Sequence, residues 1–134
     1  MRALAIALAA TALVAGGAAV SAKPKLTPEQ RLEKLLDGRV AGKPTTCISQ
    51  ADTRDLEIIN GVALVYRSGS TLWVNTPRNP EDLDDDDILV IRPSGSQLCR
   101  LDMVHTVDRM GHFTTGFINL GDFVPYRRVK QAAR

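Results

Sequence analysis

Residues 56–75 read LEIINGVALVYRSGSTLWVN, and a period of two, interrupted twice by turn residues, makes this a β protein. Asn60-Gly61 separates Leu56–Ile59 from Val62–Arg67, and an Asn-Gly pair accepts the positive φ angles of a type I′ hairpin turn. Ser68-Gly69-Ser70 returns the chain into Thr71–Asn75, so the stretch predicts a three-stranded meander. With Asn60 and Gly61 as the turn, Ile59 pairs with Val62 and Ile58 with Ala63. Leu56, Ile58, Ala63, Val65, Leu72 and Val74 then share one wholly apolar face, the expected core. Ser68-Gly69 and Gly69-Ser70 as the second turn give the same parity, whereas a three-residue turn would flip the third strand. The opposite face holds Ile59, Val62, Leu64, Tyr66 and Trp73 and also needs a cover.

Upstream of the meander, Thr27-Pro28-Glu29-Gln30 reads as a helix start, with Thr27 as N-cap, Pro28 at the first helical position and Gln30 closing a capping box. Leu32, Leu35 and Leu36 form one stripe and Gly38 marks the stop, which predicts a helix of about ten residues that needs a surface to lie on. The face carrying Tyr66 and Trp73 is the expected surface. Arg39 to Pro44 is expected to be a connector.

Further upstream, residues 1–22 have the make-up of a secretion signal. Arg2 supplies the positive start, Ala3 to Ala15 the apolar run, and Val20-Ser21-Ala22 the small residues read by signal peptidase. Cleavage after Ala22 would leave 112 residues from Lys23, one domain's worth. An Ala-rich run this short is a poor membrane anchor, so no stable span is expected after cleavage. The expected organisation is therefore a signal over 1–22, a short helix and connector over 23–45, and a β domain over 46–134, periplasmic or secreted. With 16 basic against 15 acidic residues after cleavage, a net of +1, sequence-independent nucleic-acid binding is disfavoured.

Downstream, Thr76 to Asp87 is a loop punctuated by Pro77 and Pro80, and it concentrates six acids at Glu81, Asp82 and Asp84 to Asp87. Ile88 to Ile91 is a short apolar run ended by Pro93, as in a buried strand. Cys99, Leu101, Met103 and Val107 alternate with Arg100, Asp102, Thr106 and Asp108, as along a half-buried strand whose apolar side carries Cys99. Phe113, Phe117, Phe123 and Tyr126 supply packing groups, with one last edge strand among them. An even cysteine pair in an exported domain reads as a disulfide, Cys47 to Cys99, tying two halves of the sheet across the core. The fold class is mainly β: a small antiparallel sheet or partly closed barrel of about five to six strands, with one short N-terminal helix, closed by a disulfide.

Cys47-Ile48, Ile58-Ile59-Asn60, Trp73-Val74-Asn75, Gln97-Leu98-Cys99 with Asp102, and Leu120-Gly121-Asp122-Phe123-Val124-Pro125-Tyr126 resemble the landmarks of a domain-of-unknown-function family of small exported proteobacterial proteins. The resemblance spans Cys47 to Tyr126. It implies an exported β domain and no established activity. Relatives often carry a second cysteine pair; here Pro80 to Leu83 and Ile118-Asn119 stand at those places.

Chemistry is sparsely signalled. Asp84, Asp85, Asp86 and Asp87 could hold a weak calcium ion, but they lack the alternating spacing and glycine of a calcium loop and read first as a wet acidic loop. His105 lies on the parity of Met103 and Val107, and His112 falls in a turn-rich segment, too far along the chain for one element to present both to a metal. Ser68, Ser70, Ser94 and Ser96 all sit in Gly-containing turns, outside any nucleophile motif. No cofactor is expected. Tyr66 and Trp73, adjacent across the hairpin, suit a contact with an envelope protein or a glycan, the alternative being that the Leu32, Leu35, Leu36 helix lies over them. The expected function is a non-enzymatic binding module of the cell envelope, an inhibitor being one form of it. The alternative is a small periplasmic hydrolase using His105 or His112.

Overall fold

The computed structural model describes residues 22–130. The expected signal segment lies outside the described residues but for Ala22. A nine-residue helix, α1 (Pro28–Leu36), starts where the capping box places it. The Thr27 hydroxyl accepts the Gln30 N–H at 3.3 Å, and the Gln30 side-chain oxygen accepts the Thr27 N–H at 3.0 Å. Gly38 follows at φ +69°, a left-handed residue just past the helix end.

The described strands are β1 (Arg39–Ala41), β2 (Cys47–Ser49), β3 (Asp55–Ile59), β4 (Ala63–Ser68), β5 (Thr71–Asn75), β6 (Ile88–Ile91), β7 (Gln97–Cys99), β8 (Met103–Val107), β9 (Thr114–Asn119) and β10 (Phe123–Arg128). All pair antiparallel: a five-stranded sheet β1-β10-β5-β4-β3, a three-stranded sheet β6-β8-β9, and the ribbon β2-β7. The mainly β class with one short helix and a disulfide is the fold found, as separate sheets and without a closed barrel. Ten strands replace the expected five or six because β1, β2 and β7 are three-residue ladders, too short to leave a period in the sequence. β1 lies inside the expected connector, and β10, expected at an edge, sits between β1 and β5.

The first hairpin is one residue longer in its turn than the Asn-Gly signal implies. Ile59 pairs with Ala63 and Ile58 with Leu64, leaving Asn60, Gly61 and Val62 as the turn. Only Gly61 has positive φ there, +66°, where a type I′ turn needs two such residues. The cause is tertiary. Asn60 accepts the Asp85 N–H at 2.7 Å and donates to Asp85 Oδ1 at 2.9 Å, and the Gly61 N–H donates to the Leu83 carbonyl at 3.1 Å. The acidic loop thus docks on the turn and sets its shape.

That shift exchanges the partners of β3. Ile59 joins Ala63, Val65, Leu72 and Val74 in one buried cluster, while Leu56 and Ile58 pack with Leu64 and Tyr66 in the other. Between β4 and β5 the expected register holds: Val65 opposes Val74, Tyr66 opposes Trp73, and Gly69-Ser70 is the turn. Leu32, Leu35 and Leu36 of α1 cover the Ala63–Val65–Leu72–Val74 side, opposite to the side expected for them. The Tyr66 side meets Ile48, Leu83, Leu98, Val104, Ile118, Leu120 and Phe123 and forms the larger core.

The strand expected from Cys99 onward is broken. The Asp102 carboxylate accepts the Cys99 N–H at 2.7 Å and the Asp102 N–H donates to the Cys99 carbonyl at 2.9 Å, which turns the chain between β7 and β8. Val104 and Thr106 therefore face inward, and Leu101 and Met103, expected in the core, are 84% and 58% exposed. β6, expected to be buried, is an edge strand with Ile88 exposed. The Cys47–Cys99 bridge is present, but it joins directly opposed residues of β2 and β7 rather than two halves of one sheet.

Candidate functional site

The sheet β6-β8-β9 has two unlike faces. Inward rows run Leu89–Thr106–Gly116 and Ile91–Val104–Ile118, and they meet the larger core. Outward rows run Val90–His105–Phe117 and Ile88–Val107–Thr114, with Met103 opposite Asn119. Because a strand alternates its side chains, Ile88 and Val90 turn to the face opposite the one that Leu89 and Ile91 pack on the core. Phe117 is 52% exposed and Met103 58%, while Val90, His105 and Val107 are half-buried among their neighbours. Val90, His105 and Val107, with Arg92 and Thr114, line a shallow hollow of about 270 Å³ on this face.

An acidic groove opens beside Phe117. Its volume is about 470 Å³, and Glu81, Asp82, Asp84, Asp87 and Asp108 line it together with Thr106 and Thr115. The loop that supplies four of these acids is held by short-range contacts. The Thr115 hydroxyl donates to Asp87 Oδ2 at 2.7 Å and accepts from the Thr106 hydroxyl at 2.8 Å, and Arg109 Nε donates to the Asp86 carbonyl at 3.1 Å. On the other side of the loop, the Arg31 guanidinium stands 3.9 Å from Asp85. Asn79 covers the outer edge of β9, donating to the Phe117 carbonyl at 2.9 Å and accepting the Asn119 N–H at 2.9 Å. The end of that edge strand is closed by a side chain, which blocks strand-on-strand pairing there.

Of the four aspartates in the weak calcium candidate, the structure brings three together. Carboxylate oxygens of Asp84, Asp85 and Asp86 lie within 4.8 Å of one another, all exposed. Asp87 turns away to Thr115. Two of the three carboxylates already have other work: Asp84 Oδ1 accepts the Asp86 N–H at 2.9 Å, and Asp85 is bound to Asn60.

The aromatic binding face expected at Tyr66 and Trp73 is corrected by the structure. Tyr66 has no exposed surface and Trp73 is half-buried, both on the core side of their sheet. The Tyr66 ring leans on Phe123, centroids 6.1 Å apart, and its hydroxyl has no partner among the described protein groups. Burial pushes the phenol above its ordinary range, because the phenolate would lose its solvation. Tyr66 is therefore closed to an outside partner, and Trp73 offers one only part of its surface.

His105 stands in the centre of the outward face of β8, and His112 sits in the turn after it at φ +53°. Among the described residues, no serine hydroxyl or carboxylate is hydrogen-bonded to either imidazole. Ser68 instead donates to Asp52, and Ser49 caps the turn at Ala51. Asp108 holds its own turn by accepting the Met110 N–H at 3.0 Å and the Gly111 N–H. The arrangement offers a contact surface with an acidic margin, and among the described residues neither histidine is paired with a hydroxyl.

Phe113 and Phe117, packing groups in the sequence reading, are both exposed in the structure, at 60% and 52%, and Phe117 is the one that lies on this face. Its sequence neighbours carried the signal: Thr115 and Asn119, two positions away on either side, are polar, so the row they share with Phe117 faces water. Among the described residues, no helix is long and apolar enough to cross a membrane. No protein-family model, curated protein or solved structure matches the chain.

Proposed function

We propose that this protein is an exported, non-catalytic binding module of the cell envelope, meeting a protein partner through the outward face of β6-β8-β9. The observation that carries the reading is the outward row Val90–His105–Phe117, with Phe117 exposed and Met103 and Ile88 exposed beside it, on a sheet whose other face packs on the core. A contiguous apolar and aromatic patch rimmed by polar residues is the usual form of a protein contact. The acids of the adjoining groove favour a partner whose apolar centre is bordered by Lys or Arg.

Support for export comes from the residue pattern of 1–22 and from the disulfide, a bond that persists in oxidising compartments. Both periplasm and medium meet that condition. The resemblance to the family of small exported proteobacterial proteins belongs to the same proposal, and an inhibitor that blocks a partner enzyme is one form it can take.

Capture from envelope extract tests it, comparing the wild-type protein with Met103→Asp/Phe117→Asp. Both changes fall on exposed side chains, so the fold should persist. The reading predicts a partner retained by the wild type and lost by the variant. A partner held equally by both would contradict it. So would a substrate turned over by the wild type and left intact by His105→Ala/His112→Ala.

A further inference from the structure

At the far edge of the five-stranded sheet, β1 and β10 place two arginines directly opposite each other, Arg39 and Arg128, with Arg127 opposite Val40. Like charges facing across a strand pair destabilise it, so this pairing is not one that sheet stability selects. The Arg39 side chain is also fixed, donating to the Ser70 carbonyl at 2.7 Å and to the Tyr126 carbonyl at 3.4 Å. Desolvation, then the charges of Arg128 and Arg67, lower the Arg39 pKa, which registers the crowding of cations. Arg67 pairs with Glu57 at 2.8 Å, a carboxylate it shares with Arg31, but among the described residues no carboxylate lies within salt-bridge distance of Arg39, Arg127, Arg128 or Lys130.

Apolar side chains are interleaved with these cations. Val40 is 58% exposed and Val129 61%, and strand alternation sets Arg39 with Arg128 on one side of the edge and Val40 with Arg127 on the other, so positive and apolar groups flank the edge strand. An interfacial layer of a bilayer offers both partners at once, headgroup phosphates for the cations and acyl-chain margins for the valines. The acidic groove lies among β8, β9 and the loop before β6, in a different sheet.

We propose that the β1–β10 edge is a peripheral docking surface for anionic phospholipid headgroups, with Arg39, Arg127, Arg128 and Lys130 as the phosphate contacts. The proposal is independent of the protein-binding face: one can fail while the other stands. The domain would lie on the membrane through this edge and keep β6-β8-β9 free.

Co-sedimentation with vesicles tests it, using the protein as recovered after export. Phosphatidylcholine vesicles are compared with vesicles of equal parts phosphatidylcholine and phosphatidylglycerol. Binding is expected to the mixed vesicles alone and to weaken as salt is raised. Arg127→Gln/Arg128→Gln removes two exposed side chains that make no hydrogen bond in the fold, and should weaken binding about 25-fold, fivefold for each cation. Arg127→Lys/Arg128→Lys should restore most of it. No binding to the mixed vesicles, equal binding to both kinds, or full binding by the Gln variant would overturn the assignment.

Discussion

Replacing both Cys47 and Cys99 by Ala removes a crosslink that closes a loop with a sequence separation of 52 residues. In the chain-entropy account, such a loop restricts the unfolded chain by about 4 kcal/mol. Domains of this size have roughly 5 to 15 kcal/mol in total, so the loss is a large share. The position of the bridge sharpens the expectation. It joins directly opposed residues of β2 and β7, a ribbon of three residues per strand with no third strand beside it. A two-stranded ribbon is marginal alone. Ile48 and Leu98 hang from this ribbon into the larger core, at 3% and 1% exposure, so loosening it also loosens the packing around Tyr66 and Phe123. Urea unfolding of wild type and double variant is the assay. At an m-value of roughly 1.5 kcal/mol/M the midpoint should fall by about 2.5 M. A fall under about 0.5 M would refute the reasoning, since the crosslink would then contribute little beyond what the ribbon holds by itself. Two free thiols in peptide maps of the exported wild type would refute it more simply.

Three further expectations follow. Tyr66→Phe removes a fully buried hydroxyl with no protein partner, so it should leave stability unchanged or raise it by about 1 kcal/mol; a loss above about 2 kcal/mol would mean the hydroxyl is bonded. The same variant carries a pH test. The folded-state pKa of Tyr66 is raised, so its contribution is present below the unfolded value near 10 and is lost as pH rises above it, by up to about 1.4 kcal/mol per unit. Stability of the wild type should therefore fall more steeply above that pH than that of Tyr66→Phe. Calcium at a few millimolar should leave the melting temperature unchanged, because Asp84 and Asp85 are already engaged by Asp86 and Asn60; a rise of several degrees would show a bound ion. Mass spectrometry of exported protein should place the N-terminus at Lys23, and a chain still starting at Met1 would contradict the signal reading.

The parts of the fold legible in the sequence are those set by neighbours in the chain. Thr27, Pro28, Gln30 and Gly38 specify α1 within a dozen positions. The β4–β5 register follows from the turn between them. Where a distant group decides, the local signal misleads. Asn60-Gly61 reads as a two-residue turn until Asp85 and Leu83 bind it, 25 and 22 positions away, and a one-residue slip reassigns every side chain of β3. The alternation after Cys99 was real for Met103, His105 and Val107, which do share a face. Its direction was not legible, because Val104 and Ile118 make the other face equally apolar, and Asp102 interrupts the strand before Met103. The site suffered the same ambiguity. Tyr66 and Trp73 read as an exposed aromatic pair because the helix and the two small sheets leave no trace in the sequence of which face they cover, and Phe117 reads as a packing group for the same reason.

The measurement closest to the central claim is photo-crosslinking in intact cells, with a crosslinking residue placed at Phe117 in one variant and at Glu33 on the exposed side of α1 in another. Phe117 lies at the centre of the proposed contact face, and Glu33 belongs to the helix on the opposite side of the five-stranded sheet. The account predicts one discrete adduct from the Phe117 position and none from Glu33. An adduct from Glu33 with none from Phe117 would contradict it.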